Sequence, residues 1–528
     1  MSAAPDSIAA EIIAALTAAT STPKPAKEPK SLPLPDRMIE FTADNFTVFK
    51  ATDGRTYGIH NDAPTKALAL GKGEALINEI KAGFSAKTGS WPANSTAQAA
   101  VTDWLHYQAT QGPVREVPLR CTWDRENNTI YLDTGDPDWT IIRITAEDWT
   151  IDPAPPYAFH RSGVTAALPT PERPAVTDPA NPFRELWTLT GIAERDRPLI
   201  LAALITSWMT GIAQPVVYIT GEQDSGKTTV ARYLLSLVDP VTLPERGGKI
   251  PATEEDWKPR VAAYRVVFID NASHITAQQS DTLCKIATGG ETITRQLYTD
   301  DTAHVSNLCA PVWLTSIGVG VLRGDLQSRM VQINLEPLNT QRRMVLSDLV
   351  KLQDAARPRI LHALLDLARD VLALLPAVDR GDLNHRLTDY ALVVRCVDQL
   401  LGTKGEERLT KIATELAEDV LEGDIVAQAL LYGIERANEH LGSRVLGEQT
   451  PGGLLRALTD YAQGNDRSSG WPRTPKVMSE HLDRIAPALA AIHGITIERR
   501  KSNSVRTITV SQGLVPADNR NSVPGGAA

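Results

Sequence analysis

The strongest constraint on the fold is the segment Gly221–Thr228, whose sequence Gly-Glu-Gln-Asp-Ser-Gly-Lys-Thr fits the pattern GxxxxGK[ST]. An apolar, β-branched run at 215–220 precedes it, and a helix-like segment, Thr229–Val238, follows. This order of strand, glycine-containing turn and helix is the context in which the pattern forms a phosphate-binding loop. A chance match of all four fixed positions is rare, and the flanking elements make it rarer. The sequence therefore predicts a P-loop ATPase core of α/β class.

Each part of this loop has a predicted role in binding ATP and Mg²⁺. The two glycines let the backbone amides turn toward the phosphates, and the start of the helix adds positive potential. Lys227 neutralises the β- and γ-phosphates, and the Thr228 hydroxyl ligates the metal. The residues predicted to contact the nucleotide are Gly221, Glu222, Gln223, Asp224, Ser225, Gly226, Lys227, Thr228 and Thr229.

A second acidic motif stands where the apolar run Val266–Ile269 ends in Asp270. A strand that ends in a carboxylate is what the second Mg²⁺-coordinating motif of such an ATPase requires. Alone this signal is weak, because any buried strand can end in Asp. Following a phosphate-binding pattern, it predicts Thr228 and Asp270 as the metal site.

Two more residues are candidates for catalysis. A third apolar run, 311–316, ends in hydroxyl side chains, and Thr315 is predicted to orient the attacking water, although it also fits an ordinary strand end. Arg329 precedes another apolar run, 331–335. An arginine there is predicted to complete a neighbouring subunit's site and stabilise transition-state charge. The alternative is a solvated surface arginine.

Charge and cysteine content narrow the class of protein. The formal net charge of −9 excludes a general basic field, but local patches remain able to bind nucleic acid. The four cysteines form no CxxC pair, which argues against a disulfide framework or a zinc site. No secretory signal is visible, and the uncharged run Pro198–Gly221 fits a buried helix leading into a buried strand. A cytoplasmic protein without a membrane span is predicted.

Proline-rich stretches and changes in periodicity divide the chain. The predicted order is a disordered leader (1–36), an N-terminal α/β domain (37–166), a Pro-rich linker (167–184), the P-loop ATPase core (185–350), a helical region (351–424), a winged-helix-like domain (425–511) and a disordered tail (512–528).

Three further blocks resemble a known family. Asp270–Ser273, Ser280–Glu291 and Arg295–Asp300 are similar to the ATPase core of phage and mobile-element ATP-binding proteins. That family is related to superfamily three helicases and to phage or plasmid primase-helicases, within the AAA+ group. The resemblance covers most of 181 to about 402. It implies an AAA+-type core, a homo-oligomeric ring, most often a hexamer, and single-stranded DNA in its channel.

The resemblance also assigns particular residues. Arg295 and the following segment, with His304 near its tip, correspond to the DNA-gripping hairpin, although a surface hairpin without a DNA role remains the alternative. Asn271 stands where many AAA+ proteins carry a water-activating Glu, so the general base is unassigned. Thr315 occupies the sensor position, which is often Asn in relatives.

The C-terminal module has the pattern of a winged helix. A helix is predicted at 451–462, two short helices at 474–494 broken near Ser479, and a hairpin at 495–510. Basic side chains flanking a groove suit phosphate contacts, here with single-stranded DNA or an origin duplex. The predicted DNA-binding residues of the hairpin are Arg499, Arg500, Lys501 and Arg506. A protein-contact role is the alternative.

Taken together, these features predict an ATP-driven DNA motor, a helicase or helicase-like protein serving replication of a phage or integrated element. The rival hypothesis is a nucleotide-dependent switch or scaffold that binds DNA or a partner without unwinding. Asn271 and Thr315 favour the rival.

Overall fold

The computed structural model describes residues 32–71, 75–152, 154–174, 181–243, 245–272, 275–295, 303–316, 324–336, 345–381, 383, 385–462, 471–502 and 505–513. The chain forms two compact units. The first comprises Arg55–Asp62, Leu68–Val114 and the described part of Met1–Lys50. The second contains the described part of Arg115–Ala528 and two short segments, Ala51–Gly54 and Ala63–Ala67.

The first unit is a small sheet covered by three helices. Strands β1 (Phe46–Lys50) and β2 (Thr56–His60) form an antiparallel hairpin, with β3 (Ala67–Ala69) beside β2. Helices α1 (Leu34–Asn45), α2 (Ala75–Thr88) and α3 (Ser95–Ala109) bury apolar faces between them. Helix α1 begins inside the predicted leader, because its Met38 and Phe41 supply part of this core.

The second unit opens with an antiparallel meander. Strands β4 (Cys121–Asp124), β5 (Thr129–Asp133), β6 (Ile141–Ile144) and β7 (Trp149–Asp152) pair in sequence order. Most of their buried side chains belong to the same apolar core as the elements that follow, namely Cys121, Ile130, Leu132, Ile142 and Ile144. The predicted N-terminal domain of residues 37–166 is therefore divided, because residues from Arg115 onward belong to the second unit. The strands of this part are buried by the core that they share with later elements.

At the centre of the second unit lies a four-stranded parallel sheet. Its strands are β8 (Val216–Thr220), β9 (Val267–Ile269), β12 (Val312–Thr315) and β13 (Met330–Asn334), in the spatial order β13-β8-β12-β9. All four predicted strands are confirmed. The helix before β8 is buried along its whole length, because it packs between the sheet and later helices.

Helices and a hairpin surround this sheet. The helices are α4 (Arg184–Thr190), α5 (Arg197–Trp208), α6 (Lys227–Leu235), α7 (Lys258–Ala263), α8 (Ala277–Thr288) and α9 (Gly324–Gln327), with 3-10 turns at Glu194–Asp196 and Glu255–Trp257. Strands β10 (Gly290–Arg295) and β11 (Ala303–Leu308) form an antiparallel hairpin. The architecture is mixed α/β.

The predicted helical region is confirmed as three helices, α10 (Leu346–Leu374), α11 (Thr388–Leu401) and α12 (Gly405–Gly423). A second apolar core begins at the end of α12 and holds the C-terminal elements together. These elements are α13 (Ile425–Leu441), β14 (Val445–Gln449), α14 (Pro451–Tyr461), α15 (Pro475–His493), β15 (Ile495–Ser502) and β16 (Val505–Gln512). The three strands have the order β14-β16-β15.

One C-terminal prediction is wrong. Helix α15 is continuous across Ser479, where a break between two short helices was expected. Buried Met478, Leu482 and Leu489 lie on one face at helical spacing, so a break would remove part of that face from the core. Thr474 accepts a hydrogen bond from the backbone N–H of Val477 and caps the helix.

Among the described residues, no helix combines the length and apolar character needed to cross a membrane. The four cysteines are free thiols, and Cys121, Cys284 and Cys396 are buried.

Candidate functional site

The predicted site residues meet at one edge of the parallel sheet. Thr220, Asp270 and Thr315 stand at the carboxyl ends of β8, β9 and β12. Because the strands are parallel, these ends lie along a single edge. In open α/β sheets ligands bind outside this edge. The fold therefore brings together residues that are far apart in sequence.

The Gly221–Thr228 loop connects β8 to α6 at this edge. Gly226 adopts a φ of 78° immediately before the first turn of α6. Residues that have a Cβ rarely adopt this backbone conformation. A Cβ on Gly221 would lie 2.9 Å from Ser225 Oγ and 3.3 Å from Leu335, so only glycine fits between them. Glu222, Gln223 and Asp224 are exposed on the outer side of the loop.

The ammonium of Lys227 lies within the loop. Its Nζ donates hydrogen bonds to the carbonyl oxygens of Gly221 at 3.0 Å and Glu222 at 2.6 Å, and approaches Ser225 Oγ at 3.4 Å. These acceptors are neutral, and no carboxylate of the described residues forms an ion pair with Lys227. An anion at the loop therefore meets an uncompensated cation and the N-terminal end of a helix.

Asp270 is the centre of a hydroxyl network. Its Oδ1 accepts hydrogen bonds from Thr228 Oγ1 at 2.8 Å and Thr315 Oγ1 at 2.6 Å. Thr315 Oγ1 in turn accepts the backbone N–H of Asn271 at 3.0 Å. Asn271 has a φ of 56°, which for a residue with a side chain is a sparsely populated conformation. The network positions the carboxylate and orients the chain that leaves β9.

The donor set fits a hard divalent cation. Thr228 Oγ1 and Asp270 Oδ1 are neighbouring oxygens from a hydroxyl and a carboxylate, which are ligand types that Mg²⁺ prefers. Within the described ranges, no cluster of three or more His, Cys, Asp or Glu side chains could hold a metal by itself. That is compatible with Mg²⁺, which is usually held by one or two protein oxygens together with water and phosphate oxygens.

Arg329 is placed differently from the exposed arginine expected from sequence. Its side chain is buried, with 5% of its surface exposed. Nη1 bonds the carboxylate and the backbone carbonyl of Asp325 in the same chain, both at 2.7 Å. Arg386 lies 3.2 Å from the same carboxylate. This conformation does not present Arg329 to a neighbouring subunit, because the ion pair and the surrounding packing hold it inside its own chain.

Strands β10 and β11 form a hairpin where the DNA-gripping hairpin was predicted, with Thr294 opposite His304 and Arg295 opposite Ala303. Its connecting residues, 296–302, and the side chains of Arg295 and His304 lie outside the described part of the structure. Their predicted contacts with DNA therefore remain predictions.

The basic residues of the C-terminal hairpin are not equivalent. Arg499 bonds Asp483 at 2.6 Å and the carbonyl of Ser479 at 2.9 Å, both on α15. Lys501 and Arg506 are exposed and directly opposite each other on β15 and β16. Like charges in this position repel each other, which an anion between them relieves. Arg500 is also exposed, with Glu498 at 3.7 Å.

One network beside the site has no signal in the sequence. Asp196 and Arg408 are 212 residues apart and form a buried ion pair at 2.6 Å, and Asp196 also accepts hydrogen bonds from Asn334. No motif or spacing relates these residues. Only the fold brings them together.

Two family models match the chain. The model described as "Actinomycete integrative conjugative element replication protein" matches residues 185–419. The model described as "AICE RepA C-terminal domain" matches residues 426–521. The matched regions contain the parallel sheet with its loop and the C-terminal domain with its basic hairpin. A comparison with curated proteins gave no match.

Solved structures with some similarity include an apo structure of the NrS-1 C-terminal region, at 13% identity and a TM-score of 0.41. The alignment covers 90% of this chain and 99% of that one. A JCV helicase bound to a thiazolopyridine compound has 16% identity and a TM-score of 0.20, over 43% of this chain and 66% of that one. The two adjoining matches, over residues 185–419 and 426–521, are both to models of replication proteins of actinomycete integrative conjugative elements.

Proposed function

We propose that this replication protein is an ATP-hydrolysing DNA motor with an AAA+-type core, acting as a helicase of its mobile element. The observation that carries the proposal is the convergence of Lys227, Thr228, Asp270 and Thr315 at the carboxyl edge of one parallel sheet. These are the residue types that bind, neutralise and position a nucleoside triphosphate.

In the proposed site, the loop amides and Lys227 bind the phosphates of ATP. The ammonium exchanges its contacts with the Gly221 and Glu222 carbonyls for phosphate oxygens, since those neutral acceptors hold it less strongly than an anion does. Thr228 and Asp270 would hold Mg²⁺, which would supply positive charge to neutralise the phosphates. Thr315 orients Asp270 by donating a hydrogen bond from its hydroxyl to the carboxylate.

The attacking water has no carboxylate base at the position after Asp270. Asn271 orients a water through its amide but cannot accept a proton from it at neutral pH. The proposed motor therefore hydrolyses ATP through positioning and electrostatic stabilisation, and slow intrinsic turnover is expected. This feature also favours the second candidate function, a nucleotide-dependent switch that binds DNA without unwinding.

The C-terminal domain, proposed to be winged-helix-like, supplies the DNA contact. Its helices α13, α14 and α15 support a two-stranded hairpin that carries exposed Arg500, Lys501 and Arg506. A ring of identical subunits, proposed to be a hexamer, would enclose single-stranded DNA near β10 and β11. Arg329 in its buried ion pair supports the packing of α9, so the trans-acting group of such a ring is left unassigned.

The test is ATP hydrolysis with and without single-stranded DNA, comparing the native chain with Lys227→Ala. DNA-stimulated hydrolysis that disappears in the variant supports the motor, and strand displacement by the native chain then establishes unwinding. ATP binding without hydrolysis under either condition would favour the switch. A chain that remains monomeric by light scattering with ATP and DNA present would contradict the ring.

A further inference from the structure

A fully buried carboxylate stands next to the nucleotide edge. Asp196 has no exposed surface and ends the 3-10 turn before α5. Its Oδ2 accepts the backbone N–H of Asn334 at 2.8 Å and the side-chain amide of Asn334 at 3.1 Å. Its Oδ1 accepts Arg408 Nε at 2.6 Å. A charge this deeply buried needs such compensation, so the position of Asn334 depends on Asp196 and Arg408.

Asn334 connects this network to the loop. It is the last residue of β13 and the register partner of Thr220, which immediately precedes Gly221. The next residue, Leu335, donates its backbone N–H to Thr220 at 2.9 Å. Leu335 also limits the space beside Gly221, as described above. A displacement of the loop therefore reaches Asn334 through direct backbone contacts.

The other end of the network lies on α12, which contributes to both apolar cores of the second unit. Leu409, Ile412 and Leu416 belong to the core around the parallel sheet. Leu421, one turn further along, belongs to the core of the C-terminal domain. Helix α12 also packs against α15. A helix of this length spans roughly 28 Å at 1.5 Å per residue. It is thus a rigid connection between the nucleotide edge and the proposed DNA-binding domain.

Arg408 is the contact through which α12 reaches that edge. Its side chain is 4% exposed, and Nη1 bonds Glu415 of the same helix at 2.8 Å. Its Nη2 is buried without a protein hydrogen-bond partner among the described residues. A buried donor without a hydrogen-bond partner raises the free energy of the conformation that contains it. A second position of the guanidinium that pairs Nη2 would therefore compete with the one observed, and α12 would shift with it.

We propose that Arg408 and Asp196 are positioning residues that couple ATP at the Gly221–Thr228 loop to DNA affinity at the C-terminal domain, with α12 as the moving element. The inference rests on the proposed function, since it requires both ligands. Coupling between two sites is reciprocal, so DNA changes the affinity for ATP by the same factor as ATP changes the affinity for DNA.

The experiment measures the Kd of a labelled DNA by fluorescence anisotropy, with and without a non-hydrolysable ATP analogue and Mg²⁺. The ratio of the two Kd values is the coupling factor. For the native full-length chain the expected factor is about fivefold or more, the lower end of typical allosteric coupling. Arg408→Gln is expected to bring the factor to within about twofold of one, with DNA affinity in the absence of nucleotide little changed. Lys411→Gln removes an exposed charge from the same helix and should keep the native factor.

Folding is checked by thermal melting, because Arg408→Gln leaves Asp196 as an uncompensated buried charge. If that variant does not fold, the neutral double variant Asp196→Asn/Arg408→Gln replaces it with the same expected loss of coupling. A fluorescent ATP analogue, with Lys227→Ala as the non-binding control, tests nucleotide binding separately. The coupling is overturned if the native chain binds both ligands with a coupling factor of one. It is also overturned if folded Arg408 variants keep the coupling factor of the native chain. Neither result contradicts the proposed ATP site. Absence of nucleotide binding by the native chain overturns the ATP site and the coupling together.

Discussion

The hydroxyl of Thr228 donates a 2.8 Å hydrogen bond to Oδ1 of Asp270, which joins the start of α6 to the end of β9. This bond brings the two residues proposed to hold the metal into contact. The same Oδ1 accepts the Thr315 hydroxyl, so one carboxylate oxygen links three segments of the chain. The site is consequently preorganised, and loss of any one of these groups is expected to affect the others.

Thr228→Ala is expected to weaken Mg²⁺-dependent ATP binding about tenfold or more, because it removes one of the two proposed protein ligands. Thr228→Ser keeps the hydroxyl and should stay close to native. Isothermal titration of an ATP analogue with Mg²⁺ and with EDTA separates the metal-dependent part of the affinity. Equal affinity of Thr228→Ala and Thr228→Ser in Mg²⁺ would argue against the assignment.

Thr315→Val is expected to reduce the rate of hydrolysis more than the affinity for ATP. The substitution keeps the shape of a residue that is 2% exposed, but Asp270 loses a donor and the Asn271 N–H loses its acceptor. An unsatisfied buried group costs about 1–3 kcal/mol, so the melting temperature should also fall. Steady-state kinetics measure kcat and KM, and Thr315→Ser should restore both. An unchanged kcat in Thr315→Val would indicate that Thr315 contributes to packing and not to hydrolysis.

Gly226→Ala is expected to disrupt the loop through its backbone alone. The φ of 78° is strained for alanine, whereas a Cβ at this position meets no atom within 4 Å. A cost of about 1 kcal/mol in stability and a clear loss of ATP affinity should follow. Gly226→Asn should be milder, because asparagine enters the left-handed region more readily. Denaturant unfolding and nucleotide titration provide the comparison, and identical effects of the two substitutions would refute the backbone explanation.

In the C-terminal hairpin, Lys501→Ala and Arg506→Ala are each expected to reduce the slope of log Kd against log salt for DNA binding by about one. Arg499→Ala should change that slope little, because Asp483 already neutralises its guanidinium. Anisotropy titrations from low to moderate salt give the three slopes. A lower slope for Arg499→Ala, with unchanged slopes for the other two variants, would mean that Arg499 leaves Asp483 on α15 and contacts a DNA phosphate.

Asp424 is expected to make the C-terminal domain sensitive to acid. Burial opposes ionisation of this carboxyl, but the hydrogen bond from His481 at 2.7 Å and the N–H groups it caps hold its pKa below the usual range. Because the folded pKa is lowered, Asp424 stabilises the fold above its unfolded pKa of about 4, and this contribution is lost as pH falls through the folded value.

The comparison for this prediction is between native chain and Asp424→Asn, using hydrogen-exchange protection of the first turn of α13 from pH 7 down to pH 3. Protection should be greater in the native chain at pH 5–7, and the difference should shrink below about pH 4. A difference that stays constant down to pH 3 would show that the carboxylate charge is not responsible.

The elements around the site were predictable because their signals are local. The β-branched run before Gly221, the glycines of the loop and the acid that ends β9 are each encoded within a few residues. Strand, turn and helix propensities act over that range, and the structure confirms the strands and helices predicted there. The helices and the hairpin of the C-terminal module were likewise partly predictable, although the break expected at Ser479 ignored the apolar face that keeps α15 continuous.

The sequence by itself determined the parallel-sheet core, the loop and the residue types available for binding phosphate and metal. Tertiary structure alone decided which charges face the solvent. Arg329 is buried against Asp325, Arg499 is neutralised by Asp483, and Asp196 finds Arg408 from 212 positions away. The physical reason is that an arginine's role depends on its desolvation and its partner. Both are set by packing between distant segments, which leaves no periodicity or spacing in the chain.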